Sequence, residues 1–205
     1  MSENIAKILY INLEHRTDKK ELMEKELENM NWLEKTTRFP GVYHEKTYYG
    51  CSMAHLNALK YAKSQQFANV LIFEDDFEFL ESKETVESHV TEFFRTHTNA
   101  DFDVLFFSYF VEEGQDTSFD FLGKAISART TSGYLVSSHY YDTLIDLFES
   151  NFPKLLETGM HWVYTIDQIW KQLQKNDRWF YFKPRLGKQR VSLNDNGGVM
   201  VDYGF

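Results

Sequence analysis

Three consecutive acids, Glu74-Asp75-Asp76, follow the apolar run Val70-Leu71-Ile72-Phe73. Adjacent carboxylates repel unless a cation or protons relieve them, and hard oxygen donors of this kind suit magnesium or manganese. Ligands of open α/β sheets bind beyond the carboxyl ends of strands, where this run falls if residues 69–73 are extended. Alternation along an extended chain would set Glu74 and Asp76 on one side and Asp75 on the other. The same residues also suit an acidic, solvated turn leading into a helix, so residue type alone leaves both readings open.

Asp167 is the second candidate. Val163, Ile166, Trp170 and Leu173 recur at helical spacing, and Asp167 lies one turn from both Val163 and Trp170. A carboxylate beside a buried stripe is costly without a partner, and such positions acquire raised pKa values suited to a general base. The plainer reading is a carboxylate at the stripe's edge, paired with a Lys or Arg. Arg16 could meet a diphosphate in fork geometry, or be a surface charge near a helix start. Gly50-Cys51-Ser52 could turn backbone N–H groups toward an anion at a helix N-terminus, or form a simple turn. His55 follows near the start of that helix, as a site residue or a structural one. Cys51 has no base near it in sequence except His55, which argues against nucleophilic catalysis.

Alternating elements must position these residues. Lys7 to Leu13 reads as a buried strand. Asp18-x-x-Glu21 resembles a capping box opening a charged helix to about Trp32. A short strand is expected near Thr37 to Val42, then a helix capped by Ser52 with Met53, Leu56, Leu59 and Ala62 as its stripe. Asn69 to Phe73 is the clearest strand, followed by a polar helix from Lys83 to Thr96 and a strand from Asp103 to Ser108. Phe119 to Ser137 holds one or two strands, with helices near Tyr140 to Phe148 and Tyr164 to Leu173. Trp179 to Phe182 is a last strand before an irregular tail. Such alternation predicts an α/β fold with a mostly parallel central sheet flanked by helices.

The 205 residues suit one domain, residues 1–205, with no linker announced by the 3 Pro and 10 Gly. A net charge of −9 without a basic stripe argues against nucleic-acid binding. A phosphate ester ligand would therefore need a local cation. Cys51 is the single cysteine, so by sequence neither an intrachain disulfide framework nor a cysteine-based zinc site is expected. With no signal-like start and no long apolar span, a cytoplasmic location without a transmembrane segment is expected. The 18 Phe and 12 Tyr fit either sugar stacking or ordinary core filling.

Taken in order, Tyr10 to Asp18, Gly50 to Lys60, Leu71 to Asp76, Thr131 to Ser137, Ile166 to Trp170 and a tail with Gln189, Ser192 and Asp195 resemble glycosyltransferase family 25. That family comprises the lipopolysaccharide-type glycosyltransferases and the collagen galactosyltransferases. The resemblance spans nearly the whole chain. It implies a GT-A (Rossmann-like) fold, a UDP-sugar donor, often UDP-galactose, manganese (or magnesium) as cofactor, and transfer with inversion. The acceptor would be a hydroxyl of a glycan, lipo-oligosaccharide or glycoprotein. Asp76 would be the principal metal ligand, with Glu74 and Asp75 toward ribose and metal, and Gln189 and Asp195 closing the metal side from the tail. Ile11, Asn12, Leu13, Arg16, Ser52 and His55 would line the nucleotide, and Asp167 would be the catalytic base. This sequence departs from the family at Ala54, where a serine is usual, and at Lys19 and Lys20, which replace arginine. Two other classes are open to such a chain: an inactive sugar- or nucleotide-binding module, and a receiver-type signalling domain. The latter needs acids after its first strand, which here ends Asn12-Leu13-Glu14.

Overall fold

The computed structural model describes residues 4–193 and 200–201. The strand β1 (Lys7–Asn12) leads to helix α1 (Thr17–Asn29), strand β2 (Thr36–Pro40) and helix α2 (Thr47–Ser64). Strand β3 (Asn69–Glu74) turns at Asp75-Asp76 into the short β4 (Phe77–Phe79), and α3 (Lys83–Thr96) follows. Next come β5 (Val104–Phe106), β6 (Phe110–Asp116), β7 (Leu122–Arg129), β8 (Gly133–Ser137) and the long α4 (Tyr141–Thr158). Three short helical turns, α5 (His161–Tyr164), α6 (Ile166–Ile169) and α7 (Lys171–Gln174), precede β9 (Trp179–Phe182) and β10 (Gly187–Gln189). Ser192–Leu193 pairs with Met200–Val201 in a small ribbon.

Eight strands form one sheet in the order β2-β1-β3-β8-β5-β9-β7-β6. Six of them run one way; β7 and β8 run against the rest. Side-chain alternation divides the core between the two faces of the sheet. Leu9 and Ile11 of β1 with Val70 and Ile72 of β3 face α2 and α4 and pack on Ala58, Leu59, Leu144 and Phe148. Ile8 and Tyr10 with Leu71 and Phe73 face α1 and α3 and pack on Met23, Leu27, Val90 and Phe93. This parity fixes the site, because Glu74 inherits the α2 side from Ile72, and Asp75 the α1 side from Phe73.

Several elements differ from the sequence expectation. Helix α1 starts at Thr17 behind Arg16, and no side chain caps it. Asp18 is bound to Arg16 instead of closing a capping box. Helix α2 starts five residues before Ser52, so Ser52 lies inside it, with its hydroxyl donating to the Tyr48 carbonyl. The Gly50 amide is consumed by the Lys46 carbonyl, so the segment 50–52 offers no helix-end amides to an anion. Gly50 serves close packing: a Cβ there would lie 2.3 Å from the Val42 carbonyl oxygen. The expected helix over 164–173 is broken at Thr165, which is extended (φ −67°, ψ 155°). Strand β6 is an additional, mostly exposed edge strand. Helix α4 runs ten residues beyond Phe148, ending at Gly159 in the left-handed conformation (φ 68°). The tail contributes β10, antiparallel to β4. No helix among the described residues is long and apolar enough to cross a membrane.

Candidate active site

The C-terminal ends of β1, β2 and β3 open onto a cleft of about 580 Å³. Its wall includes Ile11, Asn12 and Leu13 from β1 and its exit, and Gly41 to His44 after β2. Ser52 and His55 of α2, Glu74 to Asp76, Asp167 of α6 and Gln189 of β10 complete it. Residues up to 178 positions apart thus meet at one place, where a twisted sheet presents its strand ends to a ligand. Arg16 does not line this cleft; its guanidinium is engaged on Asp18 at 2.8 Å. Asp195 lies outside the described residues.

The three acids diverge. Glu74, facing α2, accepts from Thr131 Oγ1 and lies 3.1 Å from His55 Nε2, while His55 Nδ1 meets the Tyr134 hydroxyl at 2.9 Å. Asp75, facing α1, accepts from Asn12 Nδ2 at 2.7 Å, and Arg38 Nε in turn donates to Asn12 Oδ1 at 2.8 Å. Strict alternation would return Asp76 to the side of Glu74, but the chain leaves the extended conformation at the turn. Asp76 Oδ2 instead accepts from Lys19 Nζ at 3.1 Å and Gln189 Nε2 at 3.2 Å, and Asp75 Oδ1 lies 3.5 Å from the same ammonium. The expected pairing of Glu74 with Asp76 is therefore replaced by a pairing of Asp75 with Asp76.

Lys19 carried no role in the sequence reading. The signal was present: Lys19, Met23 and Leu27, at i, i+4 and i+8, form the buried stripe of α1. A lysine on such a stripe must reach an anion or lose its proton.

The electrostatics separate the acids further. Burial opposes the charge of Glu74, but the His55 and Thr131 hydrogen bonds hold its pKa below the usual carboxylate value. Asp75 is pushed up to about 7, first by burial and then by Asp76, against the opposing pull of Lys19. Asp76 is raised by burial and by the charge of Glu74. Its Oδ1 is buried without a hydrogen-bond partner. Asp167 is raised by burial, although Thr165 Oγ1 donates to its Oδ1 at 2.8 Å, and the charge of Glu74 pushes in the same direction. That combination gives a carboxylate of increased basicity on the cleft wall.

The lip of the cleft carries two aromatic side chains in solvent, Tyr43 at 71% and Trp162 at 63% exposure. Tyr48 stacks on His161 with ring centroids 5.1 Å apart, joining the start of α2 to α5 beneath Trp162. By contrast nine phenylalanines, among them Phe73, Phe77, Phe93, Phe102 and Phe106, are buried in the core.

No family model matches the sequence, and no curated protein matches it either. Similarity appears at the level of structure. The glycosyltransferase GlyE of Streptococcus pneumoniae TIGR4 aligns over 97% of this chain and 58% of its own, at 10% identity and a TM-score of 0.51. The mannose-1-phosphate geranyltransferase of Thermus thermophilus aligns over 91% of this chain and 74% of its own, at 10% identity and a TM-score of 0.48. The sheet order and the alignment with GlyE show an α/β, Rossmann-like fold with a large, mainly parallel central sheet flanked by helices.

Proposed function

We propose that this chain is a glycosyltransferase of the family 25 type, moving galactose or glucose from a UDP-sugar to an acceptor hydroxyl with inversion. One observation carries the reading: Asn12, the Asp75-Asp76 pair and Asp167, distant in sequence, face one cleft at the strand ends of a GT-A sheet. In this reading Ile11, Leu13 and the 41–43 segment hold the nucleoside, and Asn12, its amide set by Arg38, orients the ribose side. Ser52 and His55 act through α2 and Glu74, behind the donor.

The residues present fit a divalent metal. Two carboxylates share a single ammonium, burial and mutual repulsion leave Asp75 short of positive charge, and Asp76 Oδ1 is an orphaned buried acceptor. Asp76 and Asp75 would hold manganese or magnesium, with Gln189 beside them, while Glu74 turns to His55 and Thr131 on the α2 side. When bound, the metal offsets charge on the departing diphosphate. Lys19 contributes a fixed positive charge to the same task.

Asp167 accepts the proton of the acceptor hydroxyl as that oxygen attacks the anomeric carbon and the bond to UDP breaks. Thr165 keeps the carboxylate oriented through Oδ1. Trp162, five residues before Asp167, gives the acceptor an aromatic surface at the cleft's lip, and sugar rings stack their C–H faces on such surfaces. The partners required are a nucleotide-sugar donor and a carbohydrate or glycoconjugate acceptor.

The test is UDP release from a panel of UDP-sugars with and without manganese, using the purified chain. We expect metal-dependent release from one donor. Asp167→Asn should retain donor binding and lose about 10²–10⁴-fold in transfer, and Asp76→Ala should lose donor binding itself. Binding without release would assign the chain as an inactive sugar-nucleotide module, and full activity in both variants would overturn the site assignment.

A further inference from the structure

A second group of metal-ligating atoms lies on the α2 side of the same strand end. Cys51 and His55, at i and i+4 of α2, present their side chains to one face of the helix. Opposite them stands Glu74, the last residue of β3. One ligand atom from each of the three lies within 4.8 Å of the others. The His55 Nε2 to Glu74 Oε1 separation is 3.1 Å, and Cys51 Sγ lies 4.0 Å from the same oxygen. A tetrahedral zinc, with bonds of about 2.0–2.3 Å, needs donor atoms roughly 3.3–3.6 Å apart. The histidine–carboxylate and thiol–carboxylate separations each lie within about half an ångström of that range, so small side-chain rotations would close the set.

We propose that Cys51, His55 and Glu74 form a binding site for a soft, tetrahedral divalent cation of the zinc class, separate from the Asp75-Asp76 pair. The nitrogen–sulfur–oxygen donor set selects such an ion over magnesium or manganese, which take oxygen donors. The surroundings are those of a prepared site. His55 Nδ1 meets the Tyr134 hydroxyl at 2.9 Å, which orients the ring with Nε2 toward Glu74, where a metal would replace their hydrogen bond. Thr131 Oγ1 donates to the same Glu74 oxygen that faces His55 and Cys51, which fixes the carboxylate's position. All three residues line the cleft, so a fourth coordination position faces the ligand space and would take water or a ligand oxygen. On binding, the Cys51 thiol proton leaves, and the imidazole proton resides on Nδ1, donated to Tyr134.

The experiment is titration of the purified, metal-stripped chain with cobalt(II), followed by absorption. We expect one equivalent to give the near-ultraviolet thiolate-to-cobalt band together with the intense visible bands of a tetrahedral centre, and zinc to displace it. Cys51→Ser should abolish the near-ultraviolet band, and His55→Gln should weaken binding at least tenfold, with far-ultraviolet circular dichroism showing each variant folded. Asp76→Asn should leave the cobalt spectrum unchanged, which separates this site from the proposed donor site. A folded wild-type chain that shows no thiolate band at saturating cobalt would overturn the proposal, as would a band that survives Cys51→Ser.

Discussion

At the scale of single residues the site is a problem of charge sharing. Glu74, Asp75 and Asp76 are consecutive, yet each has a different partner set, and the partners decide which acid stays ionised. Lys19 contributes one buried ammonium to two carboxylates, so the pair retains a deficit that burial magnifies. Asp75 makes this measurable. Its carboxyl titrates near 7 in the fold, against 3.8 for the ordinary group. Its charge therefore opposes folding progressively as pH rises between those two values, and the opposition is absent below the lower one. Asp75→Asn keeps an acceptor for Asn12 but does not titrate. The stability gain of the variant over wild type, measured by urea denaturation without metal, should be near zero at about pH 4 and grow to a plateau above about pH 7. A gain independent of pH would contradict this picture of Asp75. The residue scale was partly legible in sequence: the acids and Asp167 announce themselves by type, and Asn12 entered through the family resemblance. Thr131 and Tyr134 did not announce themselves, because their roles depend on partners more than fifty positions away, and Lys19 left only its place on the α1 stripe as a signal.

Among the elements, those with a clean apolar pattern were legible. Strands β1, β3 and β9 and helix α3 stand within a residue or two of where the pattern of apolar and polar residues places them. Helix α3 has the explicit signal: the Ser82 side chain accepts from the Thr85 amide. Ser82→Ala should cost about 1 kcal/mol in thermal or urea unfolding, with the cleft's ligand binding unaffected. What escaped has a physical reason in each case. Helix α2 begins at Thr47 behind Lys46, which makes no side-chain cap, so no capping residue marks its start. Strand β6 has nearly every residue in solvent and is held by backbone pairing to β7, leaving no burial pattern to read. The stripe from Val163 to Leu173 counts apolar residues but is blind to the extended backbone at Thr165. That break matters for function, because it places Asp167 in the first turn of α6 beside the Thr165 hydroxyl.

For the molecule as a whole, the sheet order inserts β8, β5 and β9 beside β3, so strands from late in the chain complete the frame on which the early strand ends rest. Ligand binding should therefore report on the whole fold. A UDP-sugar with manganese, present at about one hundred times its dissociation constant, should raise the unfolding free energy by about 2.7 kcal/mol. Asp76→Ala should remove that increment, and a calorimetric midpoint that fails to rise in wild type would count against the donor site. A sheet so ordered also gives the site a history in time. Gln189, on β10, reaches back 113 positions to the carboxylate of Asp76. At synthesis rates of about 5–20 residues per second, roughly ten seconds separate the emergence of the two. During that interval Asp76 has Lys19 available to it but not the Gln189 amide. The cleft is closed by its youngest wall, a strand of three residues that leaves the ribosome long after the acids it covers.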